Sequence, residues 1–88
     1  MSIRVIRPDE RLTVSQEVGT AVYRARGREA RMTRAWDRRS WVYTVTFAAG
    51  GAVGGLDLLQ ADALCKAHCW TGASSLDAFD ALVEAGWR

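Results

Sequence analysis

Alternation of apolar and polar residues is sharpest in the middle of the chain. Ser40-Trp41-Val42-Tyr43-Thr44-Val45-Thr46-Phe47 is dense in aromatic and β-branched residues, which fit a pleated, half-buried strand. Thr20 to Arg26 and Glu29 to Trp36 alternate less cleanly and flank Gly27-Arg28. Gly at the first central position of a two-residue loop predicts a type II′ hairpin. That turn sets Arg26 opposite Glu29, Ala25 opposite Ala30, Arg24 opposite Arg31 and Tyr23 opposite Met32. A second loop, Asp37-Arg38-Arg39-Ser40, closes with Trp36 facing Trp41. It sets Arg34 against Tyr43, Thr33 against Thr44, Met32 against Val45 and Ala30 against Phe47.

The two hairpins agree on the faces. One collects Ala21, Tyr23, Ala25, Ala30, Met32, Trp36, Trp41, Tyr43, Val45 and Phe47; the other collects Arg24, Arg26, Glu29, Arg31, Thr33, Thr44 and Thr46. A one-sided antiparallel meander has this split. Arg34 is the misfit on the apolar face. Its stem can pack there while the guanidinium stacks on Tyr43 or a Trp, and a bulge is the alternative.

Downstream the period changes to that of a helix. Leu56, Leu59, Ala63, Ala67 and Trp70 form one stripe, with Leu58, Ala61, Cys65 and Cys69 on roughly the opposite side. Asp57 suits the positive end of such a helix. A helix apolar on two sides is covered twice or presents one side to a partner. Thr71-Gly72-Ala73 reads as a turn, and Ser74 with Asp77 as a capping box opening a second helix. Leu76, Phe79, Leu82 and Val83 give that helix its apolar face, and Gly86 ends it. Ile3 to Ile6 reads as a strand, broken by Pro8, and residues 11–19 as a short strand through Leu12 and Val14, with one helical turn opening at Ser15 as the alternative. The fold expected is therefore α+β, a three- or four-stranded antiparallel meander packed on two C-terminal helices, in one domain over residues 1–88.

Composition narrows the class. With 88 residues, 49% of them hydrophobic and 25% charged, the chain is neither disordered nor a disulfide scaffold. No apolar run approaches the roughly 20 residues of a membrane helix. The N-terminus shows no signal-peptide stretch, so a cytoplasmic protein is expected, with no membrane partner. Charge is uneven: residues 1–39 hold ten Arg against five acids, net +5, and residues 40–88 are net −3. The overall +2 thus hides a dipolar molecule, which bears on association more than on fold.

Reactive motifs are weak. Gly50-Gly51-Ala52-Val53-Gly54-Gly55 lies between strand and helix, but Leu56-Asp57 follows where a phosphate loop needs Lys and Ser or Thr. A flexible or hairpin-like connection is expected instead. Cys65, His68 and Cys69 lie one turn apart, yet no second Cys/His pair completes a zinc set. Neighbours on one helix also cannot point at each other as a nucleophile and base must. Neither a metal, nor a cofactor, nor an enzyme is expected. A meander, Gly-rich turn and helix resembles the double-stranded-RNA-binding domain, which implies a basic cluster opening the last helix. The equivalent Leu56-Asp57-Leu58-Leu59-Gln60 has no basic residue, so no site residue is carried over.

The Arg-rich face remains as candidate chemistry, because forked guanidinium groups suit carboxylate and phosphate. Arg24, Arg26, Arg31, Arg38 and Arg39 are the expected partner-binding residues. Trp87 joins them as a chain-end Trp able to meet a partner; most of the other Trp are expected in the core. These residues point to a small non-enzymatic binding module or inhibitor that occludes an acidic protein surface. Proteins of this size without catalytic motifs include phage and mobile-element accessory proteins, such as inhibitors of CRISPR defence. The alternative is a nucleic-acid-binding module that contacts phosphates through the same Arg face. A homodimer is one form a protein contact would take.

Overall fold

Five antiparallel strands in chain order make one sheet: β1 (Thr13–Glu17), β2 (Thr20–Ala25), β3 (Arg28–Trp36), β4 (Trp41–Phe47) and β5 (Ala52–Leu56). Two helices follow, α1 (Leu58–Thr71) and α2 (Leu76–Glu84). These come from a computed structural model that describes residues 12–86. The Ile3 to Ile6 strand and Trp87 lie outside the described residues. The architecture is the expected α+β meander with two C-terminal helices, widened to five strands. The extra strand comes from the glycine-rich stretch. Gly50 and Gly51, at φ 118° and 96°, turn the chain back, and Ala52–Leu56 pairs with β4. The pairing is irregular opposite Thr44, where Gly54 and Gly55 take up one extra residue.

The β3–β4 register matches the sequence reading, from Ala30 opposite Phe47 to Trp36 opposite Trp41. The β2–β3 register does not. Arg26 and Gly27 are the central turn residues, both left-handed at φ 52° and 73°, which is a type I′ turn rather than type II′. Ala25 therefore faces Arg28, Arg24 faces Glu29, Tyr23 faces Ala30, and Arg31 faces Val22. Moving a two-residue turn by one position slips the pairing by two residues, so every side chain keeps its face. The face assignment survives while the neighbours change.

The core lies between the sheet and α1. Ala21, Tyr23, Ala25, Ala30, Met32, Val45 and Phe47 meet Ala61, Leu64, Cys65 and Cys69. Small residues on β2 and β3 let the helix come close enough for the Cys69 thiol to approach the Tyr23 carbonyl at 3.4 Å. The sheet-facing stripe is Ala61, Leu64, Cys65, His68 and Cys69; Leu59, assigned to the first stripe, is 80% exposed, and Leu56 ends β5.

Asp57 caps α1, accepting from the Gln60 N–H at 2.8 Å while the Gln60 side chain accepts from the Asp57 N–H. Gly72, at φ 85°, ends it, donating to the His68 carbonyl. Ser75 rather than Ser74 caps α2, accepting from the Ala78 N–H at 3.1 Å. None of the nine residues of α2 is fully buried; Phe79 packs against the edge of the core. Among the described residues no helix is long and apolar enough to cross a membrane.

Candidate functional site

β3 and β4 carry the helix-facing side of the sheet beyond the start of α1. Trp36 and Trp41 stand at that end, 58% and 45% exposed, although their face is the apolar one. Their rings meet edge to face at 5.3 Å, a favoured aromatic geometry. The Arg34 guanidinium lies 4.3 Å from the centre of the Trp41 ring. Its backbone N–H donates to the Gly19 carbonyl at 3.0 Å, tying β3 to the β1–β2 turn. Arg34 is thus an apolar-face residue whose charge is carried by an indole face.

Beside this cluster is an open cleft of about 280 Å³, floored by Ala21, Met32 and Tyr43 and walled by Arg34, Val18 and Leu58. Val18 is 98% exposed at the β1–β2 turn, and Leu58 and Leu59 add 50% and 80% exposed apolar side chains. In the β3–β4 loop Arg38 adopts φ 71° and the Asp37 N–H donates to the Ser40 carbonyl at 3.0 Å. Arg38 and Arg39 are exposed, and neither has an ion pair or hydrogen bond among the described residues. The end of the sheet is therefore an apolar and aromatic patch edged by the guanidinium groups of Arg34, Arg38 and Arg39, with the carboxylates of Glu17 and Asp37 among them. Contiguous exposed apolar surface of this kind marks interaction sites.

The Arg face expected from sequence is redistributed. Arg24 does not confront Arg31; it pairs with Glu29, Nε to carboxylate at 2.7 Å. Arg26 does not face Glu29. From the turn it reaches α1, its guanidinium 4.7 Å from the centre of the Trp70 ring and donating to the Trp70 carbonyl at 3.2 Å. Arg28 likewise donates to the Cys69 carbonyl at 3.3 Å. Cationic side chains at the negative end of a helix satisfy its last carbonyls. Arg31 stays on the open face between Val22 and Thr46, with no ion pair among the described residues. Of the five Arg, the structure brings Arg38 and Arg39 together beside the Trp pair, sends Arg26 to the helix end, and leaves Arg24 and Arg31 on the sheet.

Sequence reasoning missed Trp36 and Trp41 as surface residues. The available signal was Arg34, whose place on the apolar face is compatible only with a part of that face left open.

Cys65 and Cys69 are free and buried, and His68 is 5% exposed. The His68 Nδ1 lies 2.9 Å from the Ala73 carbonyl, so Nδ1 is the donor, and its ring packs 4.3 Å from Phe47. Burial pushes the Cys65 thiol up to about 12, aided by the neighbouring Cys69 and Asp62. Burial also raises Cys69, against backbone hydrogen bonds and the Arg28 charge. Thiols held protonated are core groups rather than nucleophiles. Among the described residues no cluster of His, Cys, Asp or Glu is placed to hold a metal ion.

Compared with known proteins, the chain matches no family model, no curated protein and no solved structure.

Proposed function

We propose that the protein is a small non-enzymatic binding module that docks on an acidic protein surface through the Trp36–Trp41–Arg34 end of its sheet. The half-exposed Trp pair, fixed by edge-to-face contact and by the Arg34 stack, carries this reading. Trp and Arg dominate interface hot spots, and side chains already held in place lose little entropy on binding. Arg38 and Arg39 supply charge complementarity at the rim, where it governs encounter and partner choice. The open face, with Arg24 already paired, has a secondary part through Arg31. Blocking a partner's functional surface in the cytoplasm is the mode of action this reading favours, as in phage-encoded inhibitors of host defence.

The second reading is single-stranded nucleic acid stacked on the same indoles, favoured by Arg38 and Arg39 beside them. Leu58 and Val18 on the cleft favour protein, because apolar side chains give nothing to phosphate and the Glu17 carboxylate beside them repels it. Affinity capture from the native host, with wild type and Trp36→Ala/Trp41→Ala as paired baits, tests the choice. A stoichiometric acidic protein held by wild type and lost by the variant supports the proposal. Its retention by the variant, or nuclease-sensitive recovery, counts against it.

A further inference from the structure

We infer that the chain self-associates, the acidic helix α2 of one copy seating on the Trp–Arg end of a second copy. On α2, Leu76, Phe79 and Val83 repeat at the spacing of Asp77, Asp80 and Glu84, one residue earlier. An apolar and an acidic stripe therefore run side by side, roughly 100° apart on the helix. Leu76 and Val83 are 39% and 50% exposed, so the molecule's own core leaves much of the apolar stripe uncovered. Asp77, Asp80 and Glu84 have no ion pair among the described residues, and α2 contains no basic residue.

The opposite end offers the complement: exposed Trp36 and Trp41 next to Arg38 and Arg39, neither of which has an ion pair among the described residues. Apolar meets apolar and acid meets base along two matched stripes. A two-fold arrangement lets each copy give its α2 to the other, burying both ends at once. The contact uses the same Trp–Arg end as the proposed partner site but does not depend on that partner. Self-association and partner binding therefore compete.

Sedimentation velocity on the full chain at low salt, over a concentration series, tests this. Wild type should form a dimer that weakens on adding salt, as screened charges require. Asp80→Arg/Glu84→Arg and Arg38→Glu/Arg39→Glu, all exposed positions, should each weaken dimerisation about tenfold or more. Mixing the two variants should restore a heterodimer. A monomer at every concentration overturns the inference, as does a dimer that neither reversal affects. Either result leaves capture of a host protein by Trp36 and Trp41 standing or falling on its own test.

Discussion

The Tyr23 hydroxyl, on β2, donates to the Asp62 carboxylate on α1, and Lys66 closes on the same carboxylate at 2.8 Å. This polar contact spans the sheet–helix interface beside an otherwise apolar core. It pins α1 to β2 at Asp62. Tyr23→Phe removes the donor and keeps the ring. It should cost about 2 kcal/mol, within the range for a hydrogen bond to a charged group, and lower the melting temperature by several degrees. Urea denaturation with an unchanged slope is the check.

The same pair sets a pH profile. Burial opposes ionisation of Asp62, but hydrogen bonds from Lys66 and Tyr23 and the Lys66 charge outweigh it, holding the carboxyl below its ordinary value. Its stabilising effect is present above the unfolded carboxylate pKa and is lost as pH falls through the lower folded value. Tyr23 is raised, first by burial and then by Asp62. Stability from Tyr23 is complete below its ordinary value near 10 and falls as pH rises beyond that. Asp62→Asn should flatten the Asp62 contribution at the acid end in a pH series of urea melts.

At the β2–β3 turn, Gly27 takes φ 73° with open space where a side chain would begin. Gly27→Ala therefore meets only backbone strain, about 1 kcal/mol for an L-residue in the left-handed region. Arg26→Asn should come out close to neutral. Asn suits the left-handed turn position, while the contacts of Arg26 with Trp70 are lost. The Arg26→Asn melt distinguishes this turn from one centred on Gly27-Arg28, in which Arg26 would be an ordinary strand residue; Gly27 takes a positive φ in both turns.

Much of the fold was legible because face parity depends only on whether a register shift is odd or even. The misplaced β2–β3 turn therefore cost nothing in the core assignment and everything in the Arg pairing. Arg24 gained Glu29, and Arg26 left for the helix end. β5 escaped notice because Gly54 and Gly55 remove the side chains that mark a strand. The Trp pair escaped because alternation shows which face a residue occupies, while helix placement decides how much of that face is covered.

Thiol reagents provide a separate check on Cys65 and Cys69. Both are 0% exposed and held protonated. At pH 8 a disulfide exchange reagent should modify neither until denaturant opens the core, and both should then react together. Reaction of either at the rate of a free thiol in native buffer would place it outside the core.

The most direct measurement is calorimetric affinity for the captured partner across wild type, Trp36→Ala/Trp41→Ala and Arg24→Ala/Arg31→Ala. Truncating hot-spot anchors should weaken binding about thirtyfold or more. Removing the two open-face Arg should change it by only about threefold, within the range of rim charges. The opposite ranking, with the Trp variant binding as wild type and the open-face variant failing, would contradict the account.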